Sequence, residues 1–108
     1  MSPVASPVPN PVRGEGSLRV GGEAVVLRPT FAALVAAEGE LGPLFALVER
    51  AADGGLTLRE TAALFWYCLR DAPEAVTRER LGEAVVEAGL ATVAPVLRGL
   101  LRQILVGR

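Results

Sequence analysis

The sequence predicts an α+β domain that is mostly α: an N-terminal β-hairpin followed by a bundle of about five short helices. In the hairpin, apolar and polar residues alternate over residues 16–28, on both sides of the glycine pair Gly21-Gly22. Beyond Pro29, apolar residues recur every three or four positions in stretches separated by glycine or proline. Apolar residues make up 51% of the 108 residues, which is sufficient for one modest core.

Two segments of different composition divide the chain. Residues 1–12 are rich in proline and serine, and we expect them to form a disordered tail. Residues 13–108 are expected to form a single domain. The prolines of the tail interrupt any apolar stretch that a signal peptide would need, which favours an intracellular protein.

The hairpin has a register that can be predicted from its turn. A two-residue Gly21-Gly22 loop suits the turns that close tight hairpins. It places Val20 opposite Glu23. Further from the turn, Leu18 lies opposite Val25 and Gly16 lies opposite Leu27. We predict that one face of the hairpin packs on the helices, because it carries only apolar side chains. These side chains are Leu18, Val20, Val25 and Leu27.

The first helix is predicted from its cap. Thr30 suits the N-cap position, and the apolar stripe that follows contains Phe31 and Val35. Glu38 lies beside this stripe. We expect it to pair with an arginine such as Arg28 at the margin of the core.

The next two helices follow directly. Pro43 suits the first position of a second helix that stops at Asp53. Thr57 and Glu60 have the spacing of a capping box, which opens a third helix running to about Asp71. This third helix is apolar on all sides over much of its length, so it should be central.

The last two helices are separated by Gly89. Thr77 caps the fourth helix, and the fifth covers roughly residues 92–106 with Pro95 in its first turn. The fifth helix is more apolar than a surface helix requires. Either this helix lies deep in the fold, or part of it is a surface that contacts a partner, and we expect most of its apolar side chains to be buried. The candidate partner-binding residues are Leu101, Leu105 and Val106 from this helix, together with Tyr67 from the third.

The composition argues against several classes of function. The chain has no histidine, one cysteine (Cys68) and a net charge of −1. It therefore offers no common general base, no zinc site and no basic excess for nucleic acid. Glu79, Glu83 and Glu87 follow at i, i+4 spacing, which is typical of a solvated helix face. We expect a binding protein without catalytic residues, metal or cofactor, with no nucleic-acid partner and no membrane span.

The order of these features resembles a known family. The relevant segments are Arg13-Gly14-Glu15, Leu27-Arg28-Pro29-Thr30-Phe31, Gly55-Leu56-Thr57-Leu58 and Gly89-Leu90. Together they are similar to the gene transfer agent family of phage tail assembly proteins, over about residues 11–106. The proline-rich extension and the loop Asp71-Ala72-Pro73 depart from the family pattern, so function is not transferred to either segment.

The resemblance implies a function and partners. It implies a tail assembly chaperone that binds the tape measure protein and tail tube subunits in the bacterial cytoplasm. The alternative is a structural tail component that is retained in a virion-like particle. A small helical regulatory module unrelated to phage is a more remote alternative, and a homo-oligomer is compatible with each. The family offers no catalytic residues to carry over.

Overall fold

The computed structural model describes residues 16–107, and the predicted tail over residues 1–12 lies outside this range. Three strands and five helices form the described part of the chain. In chain order they are β1 (Gly16–Val20), β2 (Glu23–Leu27), α1 (Phe31–Leu41), α2 (Leu44–Ala52), α3 (Leu58–Cys68), β3 (Leu69–Arg70), α4 (Arg78–Ala88) and α5 (Leu90–Val106). The predicted α+β, mostly helical fold is confirmed.

The hairpin has the predicted register. Val20 lies opposite Glu23, and the pairing continues to Gly16 opposite Leu27. Gly21 and Gly22 have φ angles of 59° and 86°, the left-handed values that a tight hairpin turn requires and that glycine adopts without a steric penalty. The predicted apolar face is buried against the helices, as the alternation indicates. Its buried residues are Leu18, Val20, Val25 and Leu27.

The prediction that α3 continues to about Asp71 is wrong. The helix ends at Cys68, and the next two residues form β3, which pairs antiparallel with β2. The Arg28 N–H then donates to the Cys68 carbonyl over 2.7 Å and extends this pairing. The Leu69 N–H still donates to the Trp66 carbonyl at the end of the helix. Leu69 and Arg70 then pair with β2 in a sheet of order β1-β2-β3.

Three helices begin at the predicted threonine caps. The hydroxyls of Thr30, Thr57 and Thr77 each accept a hydrogen bond of 3.1 Å from the backbone N–H three residues later. At α3, Glu60 also accepts from the Thr57 N–H over 3.0 Å, which completes the capping box. The sequence therefore defines the start of α1, α3 and α4 locally.

The core lies between the apolar face of the hairpin and helices α3, α4 and α5. Its largest fully buried side chains include Phe65, Leu81 and Leu100. Trp66 is half-buried and packs against the edge of this core. The predicted central position of α3 is confirmed, since Ala63, Leu64, Phe65 and Cys68 are all fully buried.

The predicted apolar stripe of α1 is wrong in two positions. Phe31 is 85% exposed and Val35 is 50% exposed. The residues that α1 buries are Ala33 and Ala37, one turn apart. These small side chains allow α1 to pack closely on α3. Leu34 and Leu41 are half-buried against the core, whereas Phe31 and Val35 remain on the outer side.

Glu38 connects α1 to α2. Its Oε2 atom accepts a hydrogen bond of 3.0 Å from the Leu44 N–H at the start of α2. Pro43 occupies the N-cap position, one residue before the predicted one, and makes no side-chain cap bond there. The carboxylate of Glu38 therefore supplies the cap for α2.

Candidate protein-binding groove

An apolar groove lies between α2 and the C-terminal half of α5. Its volume is about 490 Å³. We call it the α2–α5 groove, and its lining consists of Val48, Ala51, Ala52, Arg98, Leu101, Arg102, Leu105 and Val106. Most of these side chains are aliphatic, so the groove offers apolar surface to a partner.

Three of the four predicted partner-binding residues line this groove. Leu105 and Val106 are 63% and 65% exposed, although both are large and apolar. Leu101 is half-buried, and it packs against the core as well as lining the groove. The surplus of apolar residues on α5 thus has a definite location, whereas their role in binding stays a prediction.

The α2 wall of the groove was not predicted. Val48 and Ala51 are half-buried, whereas Leu47 is the buried residue of α2. Phe45 lies one turn before Val48 and is 85% exposed, which extends the apolar surface along α2. The periodicity of α2 indicates an amphipathic helix but does not distinguish a core-facing side from a groove-facing side.

Among residues 16–107, the side chains that line the groove carry positive charge and no negative charge. Arg98 and Arg102 line it, one turn apart on α5, and both are exposed. No carboxylate belongs to its lining among the described residues. A partner that fits the groove should therefore combine apolar side chains with carboxylates.

Tyr67 lies outside the α2–α5 groove. Its hydroxyl donates a hydrogen bond of 2.8 Å to Oε1 of Glu40. Arg78 donates to Oε2 of the same carboxylate, and its guanidinium lies 5.8 Å from the centre of the Tyr67 ring. The structure therefore does not bring Tyr67 together with the other three predicted residues.

The contacts of Glu40 alter its ionisation. Hydrogen bonds from Arg78 and Tyr67 lower the pKa of the Glu40 carboxyl, and the same carboxylate raises the pKa of Arg78. Both groups are therefore charged over a wide pH range. They border a second cavity of about 690 Å³ that also contains Arg59 and Glu60. Its mixed charges suit a structural network that joins α1, α3 and α4 better than a ligand site.

The described residues contain little from which a catalytic site is built. Burial raises the pKa of the Cys68 thiol to about 12, so the nucleophilic thiolate is scarce at neutral pH. No group of three potential metal ligands occurs between residues 16 and 107. Within the same range, no single helix is long and apolar enough to cross a membrane.

These features define a small, mostly helical α+β domain with an apolar groove at its surface. Residues 13–107 match the model of a family described as phage tail tube protein, GTA-gp10. The chain belongs to this family, since the match covers nearly all of it. The predicted relation to phage and gene transfer agent tails is thereby confirmed at the level of the family. No curated protein and no solved structure matches the chain.

Proposed function

We propose that this chain is a structural component of a phage-type tail and that it remains in the assembled particle. The observation that carries the proposal is the match of residues 13–107 to a family described as a tail tube protein. This description favours the structural alternative over the chaperone that the sequence resemblance first implied. The site of action is then the virion-like particle.

The α2–α5 groove is the surface that we assign to contacts with other tail proteins. Leu105 and Val106 expose most of their apolar side chains there, and burying such area on a partner is favourable by about 25 cal/mol per Å². The net charge of −1 offers little long-range attraction. The affinity would therefore depend on apolar contact, with Arg98 and Arg102 setting its orientation. The proposal assigns no catalytic step to the chain.

A tail assembly chaperone is the second candidate function. It is supported by the large apolar side chains left on the surface, including Phe31 and Phe45, both 85% exposed. A protein that shields unassembled partners needs such surface, and aromatic residues are frequent anchors in interfaces. In this case the partners would be the tape measure protein and tail tube subunits, and binding would be transient.

Quantitative mass spectrometry of purified particles tests the proposal against the second candidate. Peptides of this chain are measured against those of the major tail protein, with calibrated synthetic standards. A structural component is present in a fixed ratio that survives stringent washing. Loss of the chain from mature particles, while it is abundant in assembling cells, would reject the structural role and favour the chaperone.

A further inference from the structure

Helix α4 presents a surface that complements the α2–α5 groove. Glu79, Glu83 and Glu87 are exposed and recur at i, i+4 spacing, so they form one acidic stripe. Val86 lies within this stripe and is 60% exposed, and Leu90 follows it at 65%. The surface therefore combines carboxylates with two large apolar side chains, as the groove requires of its partner.

We propose that the α2–α5 groove of one copy of this chain binds the acidic stripe of α4 of a second copy. The inference rests on the proposed structural role, in which copies of this chain would lie next to one another in the particle. Arg98 and Arg102 would face Glu83 and Glu87 of the second copy, and Leu105 and Val106 would contact its Val86 and Leu90. Each copy would then bury its exposed apolar side chains and neutralise its charged stripe.

The acidic stripe and the groove lie near opposite ends of α5. Glu87 lines a cavity with Thr92 and Val96 at the N-terminal end of α5, whereas the groove follows its C-terminal half. Thr92 and Arg102 are ten residues apart, which is roughly 15 Å along a helix. Two different surfaces pair either head-to-tail, from one copy to the next, or reciprocally between two copies. Head-to-tail contacts continue into rings or helical stacks, whereas reciprocal contacts close as a symmetric dimer.

The test is sedimentation velocity of the purified full chain at increasing concentration, up to about 1 mM, at low and high salt. The wild type should form dimers or larger species, and added salt should weaken their formation. A wild type that stays monomeric throughout would overturn the proposal. Particle mass spectrometry is independent of this outcome, so the failure of self-association and the failure of the structural role are distinguishable.

Two charge reversals identify the contact. The variant R98E/R102E makes the groove acidic, and the variant E83R/E87R makes the stripe basic. Each variant alone should associate at least about tenfold more weakly than the wild type, because like charges then face each other. An equimolar mixture should recover association, since each groove then finds a stripe of opposite charge on the other variant.

The mixture makes the result independent of folding defects, because a misfolded variant would not regain association. Arg59→Glu and Glu74→Arg are matched controls, since both residues are exposed and lie outside the two surfaces. They should associate like the wild type. If the charge variants associate normally, or if the mixture does not recover, the groove and the stripe do not bind each other.

Discussion

Tyr67 on α3 and Glu40 on α1 are joined by a hydrogen bond of 2.8 Å, although they are 27 positions apart in the sequence. Arg78 at the start of α4 binds the same carboxylate. One acidic side chain thus connects three helices at the surface. Tyr67, which the sequence suggested as a partner-binding residue, has its hydroxyl bonded within the domain, and the residue is half-buried.

Replacing Glu40 with glutamine should reduce stability in a pH-dependent way. The pKa of Glu40 is held below its ordinary value of 4.5 by Arg78 and Tyr67. A carboxyl whose pKa is lower in the folded state stabilises that state at pH values above the pKa of the unfolded chain. This contribution is lost as the pH falls through the pKa of the folded state. Urea unfolding should therefore show a larger difference in the free energy of unfolding between wild type and Glu40→Gln near neutral pH than at an acidic pH below the ordinary value of 4.5. A gap of equal size at both pH values would contradict the ion pair.

The Thr57 capping box should contribute measurably to stability. Thr57 and Glu60 satisfy two backbone N–H groups at the start of α3, and Arg50 binds Glu60 over 2.8 Å. Thr57→Ala should lower the free energy of unfolding by about 1 kcal/mol, as loss of an N-cap does. Thr92→Ala is the control, because Thr92 is exposed and α5 has no side-chain cap bond. If both changes lower the free energy of unfolding by the same amount, the Thr57 cap does not stabilise α3 in the way proposed.

Two phenylalanines should respond in opposite ways to truncation. Phe65 is fully buried, and Phe65→Ala should cost about 3–5 kcal/mol through lost burial and the cavity that remains. Phe31 is 85% exposed, and Phe31→Ala should change stability by less than about 0.5 kcal/mol. Thermal or urea unfolding of both variants measures the difference. A large loss for Phe31→Ala would restore the sequence-based assignment of this residue to the core.

Cys68 should be unreactive in the folded protein. It is fully buried, and burial raises the pKa of its thiol to about 12. The thiol should therefore react with an aromatic disulfide reagent at about pH 8 only as fast as the protein unfolds. Adding urea below the midpoint should accelerate the reaction. Rapid stoichiometric labelling without denaturant would show that the thiol is accessible.

The features that could be predicted from the sequence are local. The Gly21-Gly22 turn determines the register of the hairpin, and Thr30, Thr57 and Thr77 determine where three helices begin. In each case the physical cause lies within a few residues of the signal. The surplus of apolar residues on α5 is also visible in the sequence, because its apolar face is wider than the stripe that a surface helix needs.

The features that could not be predicted depend on distant parts of the chain. Leu69 and Arg70 follow an apolar helix and would continue it on propensity alone, but pairing with β2 favours the strand. Phe31 and Ala33 are both apolar, and only the close approach of α1 to α3 decides which of them is buried. The α2 wall of the groove is defined by how α2 lies relative to α5, and no pattern within α2 encodes that arrangement.

The central claim is that the chain acts in a phage-type tail through the α2–α5 groove. The most direct measurement is the fraction of particles with complete tails, counted by electron microscopy, in a host lacking the gene and supplied with variants. Leu105→Asp should lower that fraction at least about tenfold, because a charge replaces apolar contact area. Leu105→Met keeps the area and should assemble normally. Complete tails at wild-type frequency with Leu105→Asp would contradict the account.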